Sequence, residues 1–235
     1  MPVETQATVR EMIVRTPSVR SFRVVPDDEA PFQAGQWLMV APSADPALKK
    51  PLSISSAPTE KGYLEFTKKL TTSDFSSALS ALKPGDRIRI RYPQGRFVFN
   101  GDVPKIAFLS GGIGITPIRS ICRDLTDRGA KTDIVLLYGN NSIDEIAFRD
   151  DFESMRSRNP ALKVVHVLRT APADWPGYGG FITDTIVRTE IPDYRERRFY
   201  LCGPPPMVDA LKKVLTEPLA LPEEQIVTEG FAGYN

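Results

Sequence analysis

Along the first hundred residues, short apolar or alternating stretches recur at 7–14, 19–25, 36–41, 52–55, 64–69 and 87–92, separated by turn signals such as PDDEAP, APTEKG and KPGD. Runs of this length, bounded by Gly, Pro and Asp, read as β-strands. An all-β segment must hide its sheet edges, so the pattern predicts a closed barrel or a sandwich. One stretch, 73–82 (SDFSSALSAL), opens on a cap-like Ser-Asp and predicts a short helix. Beyond residue 103 the rhythm changes. Apolar runs at 105–110, 134–138, 163–168 and 198–201 alternate with helical patterns at 117–128, 145–158, 183–189 and 205–215. Strands alternating with helices predict a parallel sheet covered on both faces.

A chain of 235 residues accommodates two domains of ordinary size. The expected division is 1–101, a β domain, and 102–235, an α/β domain. Composition alters the picture only by exclusion. A formal net charge of +1 gives no global field for nucleic acid or an anionic membrane. The longest apolar runs are too short to cross a bilayer, and the polar N-terminus is no secretory signal, so no membrane insertion and a cytoplasmic location are expected. Two cysteines, Cys122 and Cys202, and the single His166 stand at no metal-ligand spacing, so neither a zinc site nor an iron–sulfur cluster is expected.

Two turns carry candidate chemistry. In IAFLSGGIGITPIRSI, a buried strand ends at Ser110, Gly111, Gly112 and Gly114 fill the turn, and a helix starts near Thr116-Pro117. Proline suits the first helical turn, and the amides there attract a phosphate or pyrophosphate. A tight connection needing glycine only for its dihedrals explains the same residues. The spacing is not G-x-G-x-x-G. The second turn, Cys202-Gly203-Pro204-Pro205-Pro206-Met207, again joins strand to helix, and in a parallel sheet both turns share one edge.

Together these stretches resemble the ferredoxin–NADP reductase superfamily, the group that includes cytochrome b5 reductase and oxygenase reductases. Lys50-Pro51-Leu52-Ser53-Ile54-Ser55-Ser56 is similar to the family's R-x-[YFL]-S-x-x-S flavin motif. Arg91-Tyr92-Pro93-Gln94-Gly95-Arg96-Phe97 looks like its G-P-x-G-x-F segment. Gly111 to Pro117 matches G-G-x-G-x-T-P, and Cys202-Gly203-Pro204-Pro205 matches C-G-P-P.

The resemblance implies a six-stranded antiparallel flavin-binding barrel followed by a parallel-sheet nucleotide-binding domain. The implied cofactors are FAD, with FMN second, and NADH or NADPH as electron donor. It places Ser53 at the flavin N5, Leu52 on the ring and Lys50 at the phosphate, with Pro51, Ser55, Ser56, Thr67, Lys68 and Ser76 as further flavin contacts. Lysine for arginine and leucine for an aromatic imply looser flavin binding. Ser53 and Cys202 are the implied catalytic contacts. Gly111, Gly112, Gly114, Thr116, Pro117, Asn140, Arg169, Cys202, Gly203, Pro204, Pro205 and Met207 would serve the nucleotide. Arg169 stands where relatives place a contact to a 2′-phosphate, but without its serine, and the balance favours NADH. A C-terminal aromatic, Phe231 or Tyr234, would cover the flavin, unless the tail frays. Electrons would leave to a separate acceptor: a ferredoxin, a cytochrome, an oxygenase component, another subunit or a small molecule. The rival readings are an electron-transfer subunit without its own reductase activity, and a cofactor-free module.

Overall fold

The structure, a computed structural model, describes residues 1–45 and 47–230. Its first half is an antiparallel sheet of β1 (Val3–Thr16), β2 (Val19–Pro26), β3 (Trp37–Ala41), β4 (Lys50–Ser53), β5 (Leu64–Lys69) and, after helix α1 (Asp74–Ala81), β6 (Arg87–Gln94). The strand order is β4-β3-β6-β1-β2-β5, and a bridge between Ile54 and Phe66 joins its two ends, closing a barrel. β6 shows the period-two logic plainly: Arg87, Arg89 and Arg91 face outward while Ile88, Ile90 and Tyr92 are buried. β1 outruns its sequence pattern because it pairs twice, with β6 through Val3–Thr8 and with β2 through Ala7–Thr16. Two register shifts, at Val9/Glu11 and Val14/Thr16, bend it around the barrel. Phe22 and Phe66 stack at 5.2 Å in the barrel centre, both fully buried.

The second half contains β7 (Lys105–Gly111), α2 (Ile115–Asp127), β8 (Asp133–Asn140), α3 (Arg149–Arg158), β9 (Leu162–Leu168), β10 (Tyr178–Gly179), α4 (Asp184–Glu190), β11 (Arg198–Gly203), α5 (Pro205–Thr216) and β12 (Ile226–Gly230). They form one sheet in the order β10-β9-β8-β7-β11-β12, with every pairing parallel. β7 is buried from Ile106 to Gly111 without alternation, as a strand covered on both faces must be. Two separate apolar clusters, one on each side of this sheet, provide the cover.

Three departures from the sequence pattern have local causes. α3 begins at Arg149 rather than 145, because Phe148 at its N-cap takes a left-handed backbone (φ 60°) that helix cannot continue through. β4 spans 50–53 instead of 52–55, since the chain turns away after Ser53. β10 and β12 carry too few apolar residues to announce themselves, and exist because they pair with β9 and β11.

Candidate functional site

The chain runs from β7 outward through β8 and β9 to one side of the sheet, then returns to place β11 on the other side of β7. The carboxyl ends of β7 and β11 therefore splay apart at a topological switch point, where ligands bind in open α/β sheets. Both glycine turns lie there. A cleft of about 630 Å³ opens between them, lined by Gly111, Gly112, Ile113, Asn140, Arg169, Pro204 and Met207 and by Lys69 and Thr71 from the barrel.

The glycines of the first turn do different jobs. A Cβ on Gly114 would lie 2.2 Å from the Cys202 carbonyl oxygen, and one on Gly111 would lie 2.0 Å from Met207 Sδ. These two are glycine so that the two turns can pack on each other. Gly112 has φ +51° and open space where a Cβ would point, and it lines the cleft. It is the glycine at which a phosphate can approach backbone. Thr116 and Pro117 are buried behind the turn, where Thr116 Oγ1 donates to the Ile113 carbonyl at 3.0 Å. Pro205 opens α5, Gly203 lies between Gly111 and Met207, and Asn140 and Arg169 stand at the ends of β8 and β9. At the cleft mouth the Arg169 guanidinium lies 5.8 Å from the ring of Phe181, which is 70% exposed.

Cys202 does not line this cleft. It is fully buried beneath the Gly114 contact, paired in register with Ser110 on β7 and Glu229 on β12. Burial, and secondarily the Glu229 charge, push its thiol well above the usual range, so it is a neutral packed group and not an exposed catalytic contact. Burial also pushes the Glu229 carboxyl up to about 7.

On the barrel side, Leu52 pairs with Leu38 and is 2% exposed within the barrel core. It is packing, not the open platform for a ring that the motif implied. Ser55 and Ser56 are also committed inward. Their amides both donate to the Glu65 carbonyl at 2.7 and 3.3 Å, and Ser55 Oγ contacts a Glu65 carboxylate oxygen at 3.2 Å and Thr67 Oγ1 at 2.8 Å. The expected donation of those groups to a flavin phosphate is therefore replaced by a structural network. Ser76 likewise accepts from the Thr71 amide at 3.1 Å and is fully buried. Pro51 is exposed. Burial, with Lys50 close by, draws the Lys68 ammonium down to about 8. Lys68 Nζ donates to the Lys69 carbonyl at 2.8 Å.

Ser53 fits a flavin on an observation of its own. Its Oγ is buried and has no hydrogen-bond partner among the described residues. An unmade hydrogen bond in that position costs about 1–3 kcal/mol, which a ligand atom such as a ring nitrogen would recover. Phe231 and Tyr234 lie outside the described residues.

Sequence reasoning missed the charged network under the motif. Glu65, wholly buried, takes Arg15 at 3.1 Å and Arg23 at 2.9 Å. From the α/β half, Arg119 on α2, which also pairs with Asp151 of its own half at 2.8 Å, reaches across to Glu60 and to the Ser55 carbonyl at 3.0 Å, while Ser120 Oγ donates to the Ser56 carbonyl at 2.7 Å. A carboxylate in the buried run LEFTK was the one available signal, but its arginines lie 42 and 50 residues away.

A closed antiparallel barrel followed by a parallel sheet with a cleft at its switch point is the architecture of the flavin- and nucleotide-binding oxidoreductase class. A family model described as "Oxidoreductase FAD-binding domain" matches residues 6–99, and one described as "Oxidoreductase NAD-binding domain" matches residues 108–213. The chain belongs to the ferredoxin–NADP reductase superfamily. NADH-cytochrome b5 reductase 1 of Emericella nidulans is 31% identical over 183 residues, covering 74% of this chain and 59% of the relative. The chain thus spans about three fifths of the length of that curated relative. Among solved structures, the ferredoxin reductase in carbazole 1,9a-dioxygenase superposes with a TM-score of 0.84 at 26% identity, covering 98% of this chain and 70% of the other. The cytochrome b5 reductase domain of Ulva prolifera nitrate reductase has a TM-score of 0.85 at 20% identity, with 97% of each chain covered, a likeness of fold.

Proposed function

We propose that this chain is the FAD- and pyridine-nucleotide-binding unit of an NAD(P)H:acceptor oxidoreductase, of ferredoxin reductase type, that passes electrons to a separate acceptor. The observation that carries this is the shared cleft: Lys69 and Thr71 of the barrel line it together with both glycine turns of the α/β half. The α/β half supplies most of the lining and the barrel its edge, so a nucleotide held there lies against the flavin-binding half, as transfer between two bound cofactors requires.

A bound flavin would supply the hydride acceptor and the electron store. The chain's own task is placement. Ser53 offers a hydroxyl to a ring nitrogen, Lys50 and Lys68 offer charge to a phosphate, and Gly112 offers backbone to the nucleotide. The buried, neutral Cys202 backs the turn from below, so no side-chain nucleophile or base is required. NADH is the expected donor, and its presence in the relative's name agrees. Arg169 nevertheless gives the cleft a cation suited to a 2′-phosphate. Arg169→Ala is expected to raise KM for NADPH several-fold more than KM for NADH in steady-state kinetics.

Anaerobic absorbance titration of the purified chain, reconstituted with FAD, tests the reading directly. Loss of the flavin band on adding NADH or NADPH supports it. Flavin that binds but stays oxidised with both nucleotides favours an electron-transfer subunit, and failure to bind FAD or FMN removes the reading altogether.

A further inference from the structure

Three charged side chains line the cleft among the described residues: Lys69, Glu145 and Arg169. Glu145 is the one carboxylate among them, and its position is costly for a cleft expected to receive a dianionic diphosphate. It is held there from both walls. Lys69 Nζ, from the end of β5 in the barrel, lies 3.2 Å from Glu145 Oε2, and Asn141 Nδ2 donates to the same carboxylate at 3.1 and 3.3 Å. Lys69 is thereby turned toward an acidic group on the far wall, in the same cleft as the open backbone of Gly112.

We propose that Glu145 is a resident stand-in for the nucleotide's diphosphate: it holds Lys69 across the cleft, and an arriving dinucleotide displaces it and takes Lys69 as its own counter-cation. This deepens the proposed function and rests on it. Three features support it. Lys69 is the barrel's single charged contribution to the cleft among the described residues, so a nucleotide that gains it is bound by both domains at once. The pair is partly exposed, with side-chain accessibilities of 40% and 34%, so separating it carries little desolvation cost. A diphosphate also offers Lys69 more negative charge than a single carboxylate, and charge-assisted bonds to such oxygens are the stronger kind. Asn141 remains to hold Glu145 after the exchange.

The stand-in makes an unusual demand on signs. Removing the cation must weaken binding, whereas removing its partner must strengthen it, because Glu145 both competes for Lys69 and repels the ligand. A plain domain-bridging ion pair demands the opposite: either half, once lost, weakens binding alike. ADP-ribose is the suitable probe, since it carries the diphosphate but no nicotinamide and can undergo no hydride chemistry. Calorimetric titration of ADP-ribose into the full FAD-reconstituted chain is compared for wild type, Lys69→Gln, Glu145→Gln and the double variant, with melting temperatures checking that each is folded.

The expected result is a Kd raised on the order of tenfold by Lys69→Gln and lowered several-fold by Glu145→Gln. In the double variant the gain from Glu145→Gln should shrink, and the wild-type Lys69 contribution should fade with added salt. Weaker binding in Glu145→Gln, or an affinity unchanged in either single variant, overturns the proposal. If the wild type binds no ADP-ribose at all, the functional reading beneath it fails instead.

Discussion

A buried serine with nothing to bond is the residue-scale signature of this site. Ser53→Ala removes the hydroxyl without opening a cavity of consequence, so folding should be unaffected. Hydride transfer from NADH, followed by stopped-flow bleaching, should slow about tenfold, the value of one lost hydrogen bond; an unchanged rate would remove Ser53 from the mechanism. Leu52 invites a different experiment from the one its motif suggests. Tyrosine there would drive a ring into the space occupied by Leu38, and overpacking of that kind costs about 1–3 kcal/mol. Glu229 makes stability depend on pH. Its folded value of about 7 exceeds the ordinary carboxylate value, so the folded state retains a proton that the unfolded state has lost. Between about pH 4.5 and 7 that difference makes stability fall as pH rises. Glu229→Gln should flatten the decline, a difference of about 1–3 kcal/mol at pH 8 by denaturant titration; identical pH profiles for the two proteins would refute the assignment.

At the scale of elements, the glycine turn separates into two kinds of position. Gly114→Ala places a methyl against the Cys202 carbonyl and must push apart the ends of β7 and β11, so both melting temperature and nucleotide affinity should drop. Gly112→Ala meets no atom and pays only for its left-handed backbone, about 1–2 kcal/mol. Its loss should appear mainly in nucleotide binding. Comparison of the two variants by thermal melting and ADP-ribose titration distinguishes packing from ligand approach, a choice the sequence left open. The order of strands and helices was legible because burial imposes period two in the barrel and unbroken apolar runs in the parallel sheet. The start of α3 was not legible, since Glu145 to Arg158 mixes charged and apolar residues as an amphipathic helix does and the break is a single dihedral at Phe148. β12 was missed because VTEG has no alternation of its own and takes its conformation from β11. Gly112 and Arg169, both of which line the cleft, could be picked out from the glycine turn and from the end of the third α/β strand. The inward commitment of Ser55 and Ser56 could not, because it depends on Glu65 across the barrel.

Across the whole molecule, the hidden interface is the feature that sequence spacing could not reveal. Arg119 lies in the first turns of the helix that follows the glycine turn, yet besides Asp151 its bonds go to Glu60 and to the Ser55 carbonyl within the flavin motif. Arg119→Met keeps the length of the side chain but leaves the Glu60 carboxylate buried beside an apolar group. Loss of a partner in a buried pair costs about 3–5 kcal/mol, so both halves should melt at lower temperature together. An unchanged melting temperature would show that the contact carries no load between the domains, whereas separate transitions would show that it is what makes them melt as one.

The Arg119 bridge also constrains the history of the chain. A recombination joint in the connection between β6 and β7, after Phe97, would leave every motif intact. Such a hybrid would nonetheless inherit one half of the bridge from each parent. Exchange should succeed only between parents that agree on both the acidic residue at position 60 and the arginine at position 119. A library of spliced relatives, sorted by retained flavin colour, would therefore show these two distant positions passing through the sieve as a pair.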